Sequence, residues 1–149
     1  MQHREFTAAG SGGIDLYAQA WLPGVAPRAV IVVSHGLAEH GGRYETLAGE
    51  LVQRGYAVYA VDHRGHGRSS GPRANIERFA YVVADFCAFT ERCAGEHPAT
   101  PVFMLGHSMG GAVAFASALR LQHMLRGLVL SAPALAMDQP VPRLQEMFV

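Results

Sequence analysis

The sequence predicts an α/β fold, a mostly parallel sheet with helices on both faces, and three observations support this class. First, the runs AVIVVSHG (29–36) and YAVYAVD (56–62) are rich in apolar and β-branched residues, as in strands buried on both faces. Second, segments with apolar residues at helical spacing separate these runs, so strands and helices alternate. Third, 50% of the 149 residues are hydrophobic and 16% are charged, which suits one domain with a sizeable core.

The first half of the chain contains a hairpin and a helix around these two runs. The segment REFTAAGSGGIDLYAQAWLP (4–23) predicts two short strands joined by a Gly/Ser turn. Between the apolar runs, RYETLAGELVQRG (43–55) predicts a helix, and Gly55 is a suitable C-terminal stop. The apolar face of this helix is formed by Tyr44, Leu47, Ala48, Leu51 and Val52.

The second half continues the alternation of helix and strand. ERFAYVVADFCAFTERC (77–93) predicts a helix, PVFMLG (101–106) a strand, MGGAVAFASALRLQ (109–122) an Ala-rich helix and GLVLSAPAL (127–135) a further strand. One face of the first of these helices carries Phe79, Val82, Val83, Phe86 and Cys93. Ligands of parallel sheets bind at the carboxyl ends of the strands, so the loops at those ends are the candidates for a site.

Composition excludes several classes of function. The formal net charge is zero and no long basic run occurs, so we expect no binding to nucleic acid. Every Lys or Arg position is arginine, which excludes a Walker P-loop and a Schiff-base lysine and suggests a GC-rich, bacterial genome. The segment 1–13 has no apolar core and no apolar run approaches about 18 residues, so we expect no signal peptide, no transmembrane span and a cytoplasmic protein. Cys87 and Cys93 are expected to be buried thiols.

Two segments share the pattern G-x-S-x-G, GRSSG (67–71) and GHSMG (106–110). A serine nucleophile at such a sharp turn needs a strand immediately before it and a helix immediately after it. Ser108 has both, and Gly106 and Gly110 remove side chains that would clash in so tight a turn. Ser69 has neither, because a polar loop precedes it and a proline follows, so we interpret Ser69 as a turn serine.

Two other chemistries are weakly indicated. GHGRSS (65–70) resembles a dinucleotide-binding fingerprint, but its third glycine is replaced by serine, which makes a cofactor-binding domain a poor alternative. Histidine pairs occur at 35 and 40 and at 63 and 66, but no cysteine or carboxylate completes a recognised metal spacing. We therefore expect neither a cofactor nor a metal ion.

Four motifs in order, SHGLAEHGGRY, VDHRGHGRSSG, FAYVVADF and GHSMGG, resemble those of the α/β-hydrolase superfamily. The likeness extends from about residue 14 to about residue 133 and is closest to the monoacylglycerol lipase and lysophospholipase group, the serine aminopeptidase-like hydrolases. The resemblance implies that Ser108 is the nucleophile and that the backbone N–H groups of Leu37 and Met109 form the oxyanion hole. This agrees with the physical rule that one donor follows the nucleophile and the other comes from the loop after an early buried strand.

The resemblance also implies supporting roles. It makes His35 a residue that braces its loop and His107 a residue that packs beside the turn. Glycines at 36, 41 and 42 would let the first loop approach a substrate carbonyl. A second set would order the loop beneath the site, namely Asp62, Arg64 and His66.

The chain lacks obvious candidates for the acid and the base that a serine nucleophile needs. In this fold the order along the chain is Ser, then Asp or Glu, then His. After Ser108 the acids are Asp138 and Glu146 and the single histidine is His123. His123 ends the helix that begins at the turn, about 20 Å from Ser108 at about 1.5 Å per residue, and Asp138 lies where a lid would begin. We therefore expect no triad acid and no triad base in this chain.

The sequence thus predicts residues 1–149 to be the N-terminal part of a single hydrolase domain, with the start of a lid at about 134–149. It is interpreted as a fragment, a truncated gene product or an incomplete gene model. The expected function is hydrolysis of carboxylic esters of the monoacylglycerol or lysophospholipid type through an acyl-enzyme, with possible lipid contact through the lid. The alternative is an inactive truncated hydrolase without the triad Asp and His. The last strand would then be an unpaired apolar edge, which favours self-association.

Overall fold

The structure is a computed structural model that describes residues 1–135. Among these residues six strands form one sheet in the order β1-β2-β4-β3-β5-β6. The strands are β1 (Gln2–Ala9), β2 (Asp15–Leu22), β3 (Ala29–Ser34), β4 (Tyr56–Val61), β5 (Val102–His107) and β6 (Leu125–Ser131). The helices are α1 (Glu45–Gln53), α2 (Phe79–Gly95) and α3 (Met109–Leu121), and a 3-10 turn at Gly41–Tyr44 precedes α1.

The sheet is antiparallel at one end and parallel in its centre. β1 pairs with β2 and β2 with β4 in antiparallel register, whereas β3 pairs with both β4 and β5, and β5 with β6, in parallel register. The parallel pairs are the strands separated by helices in the chain. The predicted α/β class with a mostly parallel sheet is therefore confirmed.

Helices cover both faces of the sheet, and β4 shows why its sequence is apolar throughout. Tyr59 and Val61 belong to the core shared with α2 and α3, whereas Val58 and Ala60 belong to the core shared with α1. Successive side chains of a strand point to opposite faces, so a strand covered twice has no position left for a polar residue.

The predicted helix faces are correct except for one residue each. Leu47 is 40% exposed, because α1 packs over β2 and β4 and leaves its flank toward β5 open. Phe79 is 42% exposed and is the first residue of α2, whose buried face begins with Val82. Cys93 is buried and Cys87 partly buried, and neither forms a disulfide.

β6 forms one edge of the sheet as described for residues 1–135. Leu128 and Leu130 pack against the core, whereas Val129, on the opposite face, is 52% exposed. The lid predicted at about 134–149, with Asp138 and Glu146, lies almost entirely outside the described residues. In the described part, no helix has the length and apolar character needed to cross a bilayer.

Candidate active site

The carboxyl ends of β3 and β5 meet at one edge of the sheet. The loop after β3 begins at His35, and β5 runs directly into Ser108 and α3. A Cβ placed on Gly36 would lie 3.3 Å from the Cβ of Ser108. The loop after β3 therefore lies directly against Ser108.

The backbone of Ser108 adopts a conformation that side-chain-bearing residues rarely adopt. Its φ is 53° and its ψ is −122°, in the region that favours glycine. Such strain persists only when the surroundings hold it. The Ser108 N–H donates to the Ser131 carbonyl at 3.1 Å, and the Ser108 carbonyl accepts from the N–H groups of Gly111 at 2.9 Å and Ala134 at 3.0 Å. The end of β6 thus fixes the turn.

The glycines on either side of Ser108 sit where no side chain fits. A Cβ on Gly106 would lie 2.7 Å from the Cα of Gly111 and would overlap the Gly110 carbonyl oxygen. A Cβ on Gly110 would overlap the carbonyl oxygens of Ser34 and His35. These contacts are with backbone atoms, which cannot move aside as the end of a flexible side chain can.

Three polar groups at this junction have no hydrogen-bond partner among residues 1–135. They are the Ser108 hydroxyl, the Leu37 N–H and the Met109 N–H. Met109 is the first residue of α3, where backbone N–H groups have no intrahelical acceptor. The structure thus brings all the predicted site residues to one place, the junction of the β3 loop with the β5–α3 turn.

No histidine of the described residues is hydrogen-bonded to the Ser108 hydroxyl. His35 is fully buried and uses both ring nitrogens elsewhere, and burial lowers its pKa to about 4. His107 is partly exposed and its Nδ1 lies 3.1 Å from the Ser131 carbonyl oxygen. His123 lies between α3 and β6, where the parallel strands begin. Ser108 lies where β5 ends, so the two residues are at opposite ends of the parallel strands.

The loop after β4 is ordered by buried polar contacts, as the sequence predicts. The Asp62 carboxylate accepts from the N–H of Gly41 at 2.6 Å and from that of Arg68 at 2.8 Å. Arg64 forms a buried ion pair with Asp85 at 2.8 Å. These contacts tie the loop after β3, the loop after β4 and α2 into one unit.

Ser69 is confirmed as a turn serine. Its hydroxyl donates to the Asp62 carbonyl at 2.5 Å and accepts from the Tyr17 N–H at 2.9 Å. The side chain is 1% exposed. With its hydroxyl occupied and buried, Ser69 is closed to substrate.

Sequence reasoning missed the role of Glu39. Its carboxylate accepts from the Gly36 N–H at 3.0 Å and pairs with Arg43 at 2.7 Å. A carboxylate three residues after a glycine in a loop was the available signal. The residue holds the loop that lies against Ser108.

An open pocket of about 360 Å³ adjoins the turn. It mixes apolar and polar side chains, and burial raises the pKa of Tyr44 on its wall to about 12. The pocket is lined by Glu39, Arg43, Tyr44, Leu47, Leu105, His107 and Ser131.

Comparison with known proteins identifies relatives over most of the chain. The serine aminopeptidase S33 family matches residues 25–149. A monoacylglycerol lipase of Mycolicibacterium smegmatis is 43% identical over 130 residues, which are 87% of this chain and 46% of the relative. The human monoglyceride lipase is 42% identical over 121 residues, 81% of this chain and 40% of the relative.

A solved structure agrees with these sequence relatives. A soluble variant of the Saccharomyces cerevisiae monoglyceride lipase, in complex with a substrate analog, matches with a TM-score of 0.79 at 25% identity, over 89% of this chain and 45% of that chain. The chain therefore spans less than half the length of each of these three relatives.

The sheet order, the strand–turn–helix at Ser108 and this structural likeness define the chain as an α/β hydrolase. It belongs to the serine aminopeptidase S33 family. The resemblance stated from its four motifs is thereby confirmed. The roles of the individual site residues stay predictions.

Proposed function

We propose that this chain carries the nucleophile and the oxyanion hole of a serine hydrolase that cleaves carboxylic esters. One observation carries the proposal. Ser108 sits in a strained strand–turn–helix, and its hydroxyl and two backbone N–H groups at the same junction have no partner among residues 1–135. Acyl transfer requires such donors and such a nucleophile at one point, together with a base that activates the serine.

In the proposed reaction the Ser108 hydroxyl oxygen attacks the acyl carbonyl carbon and gives up its proton. The bond from that carbon to the alcohol oxygen then breaks, and the alcohol departs with the proton and leaves an acyl-enzyme. The oxyanion accepts hydrogen bonds from the N–H groups of Leu37 and Met109, each worth about 10²- to 10³-fold in rate in comparable sites. Gly106 and Gly110 permit the turn. Water then attacks the acyl-enzyme and releases the acid.

The substrate class is proposed from the relatives. Their names specify monoacylglycerols, so we propose an ester of a fatty acid with a small polar alcohol, of the monoacylglycerol or lysophospholipid type. The pocket that adjoins the turn is lined in part by apolar side chains, Leu47 and Leu105 among them, which supports a substrate with an apolar acyl group. No step of this chemistry needs a cofactor.

A second candidate is an inactive chain that pairs with another through β6. Two observations favour it. The Ser108 hydroxyl has no imidazole partner among residues 1–135, and β6 is an apolar edge strand in that same part of the chain. Free strand edges are templates for pairing with further strands.

A fluorophosphonate probe separates the two candidates, because it reacts only with an activated serine. The enzymatic proposal predicts labelling of the purified chain at Ser108, located by mass spectrometry, and none in Ser108→Ala, and such labelling would also show that a base acts on this serine. Ser69→Ala is the matched control, since it removes the serine of the other G-x-S-x-G segment, and it should label normally. A folded sample that does not label would contradict the enzymatic proposal and favour the inactive chain.

A further inference from the structure

The peptide unit that joins Gly36 to Leu37 is held by two donors. The Gly36 carbonyl accepts from His35 Nδ1 at 2.8 Å and from the Glu39 N–H at 3.3 Å. In a trans peptide the C=O and the following N–H point in opposite directions within one plane. The donors that hold the Gly36 oxygen therefore also set the direction of the Leu37 N–H.

The His35 ring is itself fixed. It is fully buried, and its Nε2 accepts from the backbone N–H of His63 at 2.9 Å. A nitrogen that accepts from a backbone N–H carries no proton, so the neutral ring carries its proton on Nδ1. The ring also packs against two other imidazoles, with its centroid 4.5 Å from that of His63 and 5.4 Å from that of His66.

We propose that His35 is a positioning residue, which aims the Leu37 N–H at the oxyanion by holding the Gly36 carbonyl with its Nδ1–H. The inference rests on the proposed function and deepens it. His35 does not touch the substrate. Its tautomer is selected by the His63 N–H, so the loop after β4 sets the geometry of the loop after β3.

Two amide variants separate the two hydrogen bonds of the ring. The amide nitrogen of His35→Asn falls near the place of Nδ1, so this variant keeps a donor for the Gly36 carbonyl and abandons the His63 N–H. The amide oxygen of His35→Gln falls near the place of Nε2, so it keeps an acceptor for the His63 N–H and abandons the Gly36 carbonyl. Each variant loses one buried hydrogen bond, so a purely structural role predicts equal effects.

The first measurement is the second-order rate constant of fluorophosphonate labelling at Ser108. We expect His35→Gln to react about ten- to a hundredfold more slowly than the parent, since it misaims one oxyanion donor, and His35→Asn to retain most of the rate. Both should show similar midpoints in urea. Equal losses of rate in the two variants would overturn the proposal.

The second measurement needs no reactivity, so it distinguishes failure of this inference from failure of the proposed function. In ¹⁵N NMR of the parent chain, His35 should show a protonated Nδ1 and an unprotonated Nε2. The Leu37 amide resonance should shift in His35→Gln and stay in place in His35→Asn. If the parent chain does not label, the proposed function fails, and the NMR result alone decides the inference. A proton on Nε2, or a Leu37 resonance that responds equally to both variants, would refute it.

Discussion

The two segments with the pattern G-x-S-x-G have opposite environments. In GRSSG the hydroxyl of Ser69 is buried and makes two hydrogen bonds, to Asp62 and Tyr17. In GHSMG the hydroxyl of Ser108 has no partner in the described part of the chain, while the backbone is strained at a φ of 53°. Ser69 therefore stabilises the fold through its hydroxyl, whereas the fold holds Ser108 in a strained backbone conformation.

The difference shows that the pattern has no fixed meaning by itself. The glycines of GRSSG belong to a polar loop that follows β4. Those of GHSMG allow the backbones of a strand, a helix and a second loop to come into direct contact. Backbone strain such as that at Ser108 costs stability and persists only where the surrounding structure holds it. We expect stability and reactivity to respond in opposite ways at the two serines.

The largest effect should come from the glycines. Gly110→Ala should destabilise by about 3 kcal/mol or more, because its methyl group would overlap two backbone carbonyl oxygens. Gly71→Ala, the matching position of the other segment, should cost about 1–2 kcal/mol, from its positive φ. Urea unfolding of both variants tests this. If Gly110→Ala were as stable as Gly71→Ala, the contact of Gly110 with the carbonyl oxygens of Ser34 and His35 would be looser than described.

The next largest effect is at the two serines, where Ser69→Ala should lower stability and Ser108→Ala should abolish labelling with little change in stability. Ser69→Ala should lose about 2–3 kcal/mol, because the buried Tyr17 N–H and Asp62 carbonyl lose their partner. Ser108→Ala should change the free energy of unfolding by less than about 0.5 kcal/mol, since its hydroxyl has no hydrogen-bond partner among residues 1–135. Thermal unfolding measures both.

The comparison would fail if the two alanine variants were equally destabilised. It would also fail if Ser69→Ala lowered the labelling of Ser108 while remaining folded, because the two segments would then act as one site.

The smallest effect concerns the edge beside Ser108. If chains pair through β6, Val129→Glu should weaken self-association about tenfold, which is about 1.4 kcal/mol, because two carboxylates would face each other across the new strand pair. Val25→Glu is the matched control, since Val25 is 74% exposed in the loop between β2 and β3. Sedimentation velocity over a range of concentrations measures the difference. A chain that stays monomeric before either change contradicts the pairing.

Much of the fold was predictable because it rests on local patterns. The apolar runs of β3 and β4, the glycine stop after α1 and the strand–turn–helix at Ser108 all follow from residue type and spacing. Exposure of Leu47 was not predictable, because it depends on which strands α1 covers. The hydrogen bond between the Gly36 N–H and the Glu39 carboxylate was missed for the same reason, since the sequence of a loop does not show which donor a carboxylate meets in the fold.

The sequence by itself determined the fold class, the strand–turn–helix around Ser108 and its absence around Ser69, and the family, because periodicity and the order of four motifs are properties of the chain. Only the tertiary structure decided which donors are free, which histidine nitrogens are occupied and that the end of β6 holds the Ser108 turn. Those contacts join segments that lie far apart in sequence, such as His35 with His63 and Ser108 with Ser131. The residue type determines which hydrogen bonds a group can form, and only the packing determines which partner it contacts.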